Sequence, residues 1–345
     1  MILIRGKKMN QDSGKKDRVT IYEVARLSGV SLATVSRVMN GSASVSKVTK
    51  DKVQAVIKRL GYKPSGLAQG LATSKSTTIA VVVPSANYVY ISNFINGIQL
   101  VARQHGYNVM LFFTSHSNSD ARDVIEEVIK AHVDGAIVFD DELSSEDIRS
   151  INDYSVPVIV INHKVTGDQV GCVVFNHQEV LEQIIKENAE KNGKKMTFVH
   201  ILNGGRLVNR VERTFIETHQ ALLKEYDVVN CDDSYIHTYE EFKTYFTTHK
   251  TGYFIAYRDS ISASIINAAL DSGLRIPEDV EVISLVGTKY SHIIRPNIST
   301  LFINFSEVGK CAVTMLVSLF EGKLSNKVMV FIPEFIKQDT TVNSL

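Results

Sequence analysis

Thr20-Ile21-Tyr22-Glu23-Val24-Ala25-Arg26-Leu27-Ser28-Gly29-Val30-Ser31-Leu32-Ala33-Thr34-Val35-Ser36-Arg37-Val38-Met39-Asn40-Gly41 is the stretch that decides how this chain is read. Thr20 is an N-cap candidate, and Glu23 follows at the spacing of a capping box. Ile21, Val24 and Ala25, with Leu27 or Val30, supply one apolar helix face. Ser28-Gly29-Val30 breaks that helix, because glycine permits the positive-φ turn that other residues resist. Ser31 then caps a second helix, Leu32–Met39, with Val35 and Val38 as its buried positions, and Asn40-Gly41 ends it. Two short helices joined by a glycine turn form a helix-turn-helix.

Downstream, Val53, Val56, Ile57 and Leu60 mark one side of a third helix, Thr49–Leu60, ended by Gly61-Tyr62-Lys63-Pro64. The segment Ser65–Ala72 contains two glycines, and a Ser/Thr/Lys linker follows to Thr78. This composition suits a hinge that becomes helical only when DNA and a second subunit are present.

Charge is divided along the chain. Through Thr78, Lys and Arg exceed Asp and Glu by eleven, whereas the rest of the chain carries a charge of −10. A basic head on an acidic body is the footprint of local polyanion binding, the alternative being a solvated basic tail. Residues 1–17 read as a flexible basic extension, with Met1 or Met9 as the start. No apolar run approaches the roughly 18–20 residues that span a bilayer, and no secretory apolar core is seen, so a cytoplasmic protein is expected. The three cysteines (Cys172, Cys231, Cys311) lack CxxC spacing, which points away from both a disulfide framework and structural zinc. No cofactor is implied.

From Ile79 onward, apolar strand runs alternate with amphipathic helices. Strands are expected at Ile79–Val83, Asn108–Phe113, Gly135–Phe139, Val158–Ile161, Cys172–Phe175, Thr197–His200, Gly252–Ala256, Val282–Val286 and Thr300–Phe302. Helices fall between them, for example Phe94–His105, Asp120–Ala131, Glu179–Lys191, Glu212–Leu223, Ser260–Ser272 and Glu307–Glu321. The alternation predicts doubly wound parallel sheets, and the number of units predicts two stacked α/β subdomains. The domain plan is then a helix-turn-helix head (18–63), a hinge and linker (64–78) and an α/β body (79–345). Chain crossings between the subdomains are expected near 162–169 and 290–300. Ligands of such sheets bind at strand C-termini, here in the cleft between subdomains.

The spaced residues Thr20-Ile21, Val24-Ala25, Ser28-Gly29-Val30-Ser31, Thr34-Val35-Ser36-Arg37-Val38 and Asn40, then Val53, Leu60-Gly61-Tyr62 and Pro64, resemble the lactose/galactose repressor family. The Leu32-Ala33 pair is most similar to its catabolite control branch. In the body, Val133-Asp134-Gly135, Val156-Pro157-Val158, the run Asp271–Val280, and Arg295-Pro296 with Ser299-Thr300 look like family landmarks. The resemblance covers Thr20 to about Thr341 and implies a periplasmic-binding-protein-like body.

It also implies roles. Leu32 and Ala33 would meet base edges, with Thr34, Ser36 and Arg37 adding base and phosphate contacts. Arg37 suits guanine through its bidentate fork. Thr20, Tyr22, Ser31 and Asn40 would hold phosphates. Leu71, followed by Ala72, would wedge into the central minor-groove step. The hinge departs from the family pattern, with Ser65 and Gln69 where Asn and Arg are usual. The resemblance further implies a homodimer on a double-stranded operator, gated by a small molecule such as a sugar or sugar phosphate. In the catabolite control branch a phosphorylated phosphocarrier protein serves as corepressor.

The expected effector residues are Ser85, Tyr88, Tyr90, Asn162, His163, Arg210, Arg258 and Asp259. Here the chain departs most from a sugar sensor. Ser85 stands where an aspartate commonly follows Pro84, Arg258-Asp259 where Asn-Asp is usual, Asn162-His163 where Asp-Arg is typical, and Ser284-Leu285-Val286 where Gly-Phe-Asp is usual. The arginine often found before the Glu212–Leu223 helix is Arg210 or Arg213. The rim is aromatic and cationic, which suits an anionic ligand or a degenerate pocket in a protein regulated by contact alone. A solute-binding sensor with little DNA-binding role is the competing class. An enzyme is disfavoured by the lack of G-x-S-x-G, P-loop and H-E-x-x-H patterns. Asn203-Gly204-Gly205-Arg206 could cradle a phosphate or be a plain surface turn.

Overall fold

The computed structural model describes residues 19–39, 41–63, 76–114, 118–139, 143–191, 193–202 and 204–342. Asn40, Leu71, Ala72 and residues 1–17 lie outside them. The chain divides into two compact units, residues 1–76 and 77–345.

The first unit holds α1 (Ile21–Ser28), α2 (Leu32–Met39) and α3 (Lys47–Leu60). Its core is small and almost wholly aliphatic: Val24, Ala25, Val35, Val38, Val53 and Val56 are buried, with Ile21, Val30, Ile57, Leu60 and Tyr62 packed around them. Leu27 is exposed, and Ser28 takes the buried place. Its hydroxyl donates to Val24 O at 2.6 Å, which removes the cost of burying it. Helix α3 starts at Lys47, earlier than the apolar pattern suggests, because Ser46 caps it by accepting a hydrogen bond from Thr49 N at 3.3 Å.

The second unit contains two six-stranded sheets. In chain order its elements are β1 (Thr78–Val83), α4 (Val89–Gln104), β2 (Asn108–Phe113), α5 (Asn118–Lys130), β3 (Gly135–Val138), α6 (Ser145–Asp153), β4 (Val158–Ile161), β5 (Val170–Phe175) and α7 (Gln178–Glu190). They continue as β6 (Met196–Ile201), α8 (Gly205–Ala221), β7 (Tyr226–Cys231), α9 (Tyr235–Thr248), β8 (Gly252–Arg258), α10 (Asp259–Asp271), β9 (Val280–Val286), α11 (Tyr290–Ile293), β10 (Ser299–Phe302), α12 (Phe305–Phe320), β11 (Val328–Phe331) and β12 (Glu334–Ile336).

Strand order is β11-β5-β4-β3-β1-β2 in the first sheet and β12-β10-β9-β8-β6-β7 in the second. All pairings are parallel except β10 with β12. Strands β3, β4, β8 and β9 are buried along their whole length, which is why they read as unbroken apolar runs. The edge strands β7 and β11 and the short β12 lack that signal, and the sequence pattern passes them over.

The crossings differ from the expectation. The 162–169 connection joins β4 to β5, which are neighbours in one sheet, and 290–300 leads from β9 to β10, neighbours in the other. The chain changes sheet after Phe175, after Phe302 and after Phe331. A parallel step usually carries a helix, so a helix-free connection such as 162–169 imitates a boundary. Helix α12 crosses with the chain and packs on α4 through glycines: a Cβ on Gly309 would sit 2.2 Å from Phe94 O, and one on Gly97 2.0 Å from Ser306 O. Among the described residues no helix is long and apolar enough to cross a membrane.

Candidate nucleic-acid interface and ligand cleft

In the head, Glu23 Oε2 accepts the Thr20 N–H at 2.8 Å and so closes the start of α1. Gly29 adopts φ 63°, and the Val30 N–H returns to Ala25 O at 3.2 Å, which ends α1 in a tight reversal. Ser31 opens α2: its Oγ accepts Thr34 N at 3.2 Å and shares a 2.9 Å bond with Thr34 Oγ1. Val35 and Val38 anchor the inner face of α2.

The outer face is thereby set by helical geometry. Ala33, Ser36 and Arg37 recur at three- and four-residue spacing, with Leu32 beside them at the N-terminus. Leu32, Ala33 and Arg37 are exposed, and Thr34 and Ser36 half-buried. Leu32 is 37% exposed and Tyr22 on α1 69%, so neither belongs to the core. Thr20 and Ser31 are also exposed. Among the described residues none of the head's lysines or arginines is ion-paired. Exposed cations without internal counter-ions are free to displace the counter-ions of a phosphate backbone.

In the body, the expected effector residues lie at or just beyond strand C-termini or on the helices that follow. Tyr88, at the start of α4, donates its hydroxyl to Asp233 Oδ2 at 3.0 Å. Asp233 follows β7 and is also ion-paired with Arg258 at the end of β8. The Arg258 guanidinium lies 4.3 Å from the Tyr88 ring centre, and Tyr88 stacks on Tyr90 at 5.5 Å. This clasp ties the first sheet's side of the cleft to the second's. Behind it, Tyr90 meets Phe305 at 5.2 Å, and Phe94, Phe139 and Phe175 complete the aromatic cluster.

A second tie runs through Arg210 of α8, which donates to Asn162 O and Asn162 Oδ1, both at 3.2 Å, and to Phe175 O at 3.4 Å. Arg210 sits inside α8, because that helix starts at Gly205 and not at Glu212. His163 and His177 each lie two residues beyond the neighbouring strands β4 and β5 and are 8% and 3% exposed. Neither ring nitrogen of His163 has a hydrogen-bond partner. Burial, with the charges of Arg206 and Arg210, lowers the His163 pKa to about 4. Burial and Arg210 lower that of His177 to about 3, against a small opposing pull from the Leu285 backbone. Both imidazoles are therefore neutral near pH 7.

Asp259 is buried and accepts from Thr288 N at 2.9 Å and from the Thr288 hydroxyl. Burial raises its pKa even so. Ser85 accepts Asn87 N at 3.1 Å in a local turn. Asp233 and His177, which lie beside the expected residues, escaped the reading of the sequence. Asp233 follows a half-exposed edge strand, whereas His177 directly follows the apolar run of β5 and carried a legible signal. Among the described residues no group of His, Cys, Asp or Glu could hold a metal ion.

Residues 20–65 match the family described as bacterial regulatory proteins, lacI family, and residues 203–341 match the periplasmic binding protein-like domain. The chain belongs to the lacI family. As a lacI-family protein it is a DNA-binding transcriptional regulator, of a family that is regulatory rather than enzymatic. Catabolite control protein A of Staphylococcus xylosus is 28% identical over 326 residues, 92% of this chain and 98% of the relative. The Staphylococcus aureus protein of the same name is 28% identical over 327 residues, with the same shares covered. Among solved structures, the Lac repressor dimer bound to operator and the anti-inducer ONPF superposes with a TM-score of 0.84 at 21% identity, over 95% of this chain and 100% of that one. The CelR–cellobiose complex gives 0.67 at 22%, over 94% and 100%. These likenesses establish the fold of the lacI-family regulator.

Proposed function

We propose that this regulator is a repressor of carbon or sugar metabolism genes. It acts in the cytoplasm on nucleoid DNA, as a homodimer on a pseudo-palindromic operator. Two heads would read half-sites about one helical turn apart. The observation that carries the reading is α2: Val35 and Val38 hold it against the core while Leu32, Ala33 and Arg37 stay exposed. Thr20, Tyr22, Ser31, Thr34, Ser36 and Asn40 act around it on phosphates and bases, and Leu71 with Ala72 enters the minor groove. The names of the relatives support the metabolic role.

Gating belongs to the cleft, where Tyr88–Asp233–Arg258 and Arg210–Asn162 link the two sheets. A ligand with different affinities for closed and open arrangements shifts their balance and with it operator affinity. The protein itself catalyses nothing in this scheme.

The test is operator selection from random DNA, with and without sugars, sugar phosphates and a phosphorylated phosphocarrier protein. An enriched pseudo-palindrome is expected. Arg37→Ala should weaken it by about 5- to 150-fold per half-site, the range of one bidentate base contact. An unselective protein, or full affinity in Arg37→Ala, overturns the reading.

A further inference from the structure

We propose that a cavity at the N-terminal ends of β6 and β7 binds a free α-amino acid whose large apolar side chain carries one N–H or O–H donor. The strand C-termini face the cleft, whereas Met196 opens β6 and Glu225 precedes β7. The cavity therefore lies at the opposite end of the second sheet from the gating site.

Its volume is about 310 Å³, within the range of small-molecule sites. Ile185 and Ala189 of α7, with Met196 and Leu223, give it apolar walls. His219, near the end of α8, lines it and is more than nine-tenths buried. Its Nδ1 lies 2.8 Å from Phe215 O, and a carbonyl only accepts, so Nδ1 holds the proton. Burial lowers the pKa of this imidazole against the pull of that carbonyl, and the ring is neutral near pH 7. Its Nε2 is then an acceptor, and no group among the described residues donates to it. Asn188 lines the same cavity and donates to Lys194 O at 2.9 Å, while its own buried Oδ1 has no partner. The inner polar groups thus call for a donor.

Leu223 adopts φ 54° just past the end of α8, where helices usually place glycine. A leucine seldom accepts that conformation, and this one is 93% exposed at the cavity mouth. A ligand with an apolar body would cover it. Of the charged side chains at the rim, Lys194 and Lys195 are ion-paired with Glu281 and Asp227. Lys224 and Glu225 are exposed, and neither side chain is ion-paired or hydrogen-bonded among the described residues. One free ammonium beside one free carboxylate complements the carboxylate and ammonium of an α-amino acid.

The chain contains no tryptophan, so free tryptophan, excited selectively, reports its own binding. The experiment titrates the full chain into tryptophan, 1-methyltryptophan, tryptamine and indole-3-propionate; the three analogues lack in turn the N–H, the carboxylate and the ammonium. Tryptophan should bind, 1-methyltryptophan about tenfold more weakly, and the other two about threefold to fivefold more weakly. His219→Phe should weaken tryptophan about tenfold and make it equal to 1-methyltryptophan. Lys224→Gln should weaken tryptophan but leave tryptamine unchanged, and Glu225→Gln should weaken tryptophan but leave indole-3-propionate unchanged. Both of those side chains are exposed, so the two variants decide the matter where His219→Phe fails to fold. No binding of tryptophan, equal affinity for all four compounds, or full tryptophan affinity in Lys224→Gln and Glu225→Gln overturns the proposal.

Discussion

Leu32 and Val35 stand three residues apart on α2, and replacing each by alanine should separate reading DNA from folding. Val35 is 0% exposed and sits among Val24, Val53 and Val56. Truncating it removes two methyl groups and leaves a void, a loss of about 2 kcal/mol. Leu32 is larger but 37% exposed at the first turn of its helix, so its truncation should cost less than about 1 kcal/mol. Operator binding should rank them the other way. A lost base-edge contact is worth about 1–3 kcal/mol, or about 5- to 150-fold in affinity. Hydrogen exchange in the full chain reads the first quantity: amide protection of α1–α3 should drop about 30-fold in Val35→Ala and at most about fivefold in Leu32→Ala. Fluorescence anisotropy on the selected operator at fixed salt reads the second. Equal loss of protection in the two variants would make Leu32 a core residue. Unchanged operator affinity in Leu32→Ala would remove it from the interface.

Other perturbations probe the body. Tyr88→Phe keeps the ring under Arg258 and deletes the donor to Asp233, a bond worth about 1 kcal/mol at a part-exposed carboxylate. Ligand affinity should therefore move no more than about fivefold, and a hundredfold change would mean that Tyr88 touches the ligand directly. Gly309→Ala drives a methyl to 2.2 Å from Phe94 O, and unfolding measurements should show a loss of about 1–3 kcal/mol. An unaltered melting curve would disprove that close approach. His163 and His177 have native pKa values of about 4 and about 3, below the usual 6.5. The unfolded chain thus binds protons that the native state refuses between pH 6.5 and those values. Stability should fall as pH drops through that window, by up to about 1.4 kcal/mol per pH unit for each histidine. His177→Phe should flatten the slope of melting temperature between pH 7 and 5, and an unchanged slope would refute the assignment.

The head was legible because its signals are local. A cap, a glycine reversal and valines at helical spacing each act within a few residues, so Val35 and Val38 could be placed inside from their positions alone. The parallel strands were legible for a related reason, since burial on both faces leaves no polar alternation in β8 or β9. What was not legible is non-local. Sheet membership depends on which strand each segment pairs with, and 162–169 gives no hint that β4 and β5 are partners. The Asp233–Arg258 pair joins positions 25 residues apart, the first of them just after an edge strand that is only partly buried. Arg210 could be separated from Arg213 only by knowing where α8 begins, and the two glycines ahead of Arg206 disguise that start as a turn.

The three sheet crossings also bear on how such a cleft could signal. Each crossing constrains the two halves, so their relative motion is a bend about three strand-exit points rather than a separation. Helix α12 follows the second crossing and is seated backbone to backbone on α4 at Gly97 and Gly309, so it moves with the first sheet. The freedom that remains is the angle between the ends of β4 and β5 and the start of α8, where Arg210 spans the gap. Polar ties there include Arg210 to Asn162 and Phe175, and Tyr88 to an Asp233 held by Arg258. Such bonds are worth about 1–3 kcal/mol each, comparable to the coupling energies of allosteric proteins. A ligand contact across the same gap would be of the same size. One ligand contact could then move the closed population by one to two orders of magnitude without repacking the aromatic cluster behind it.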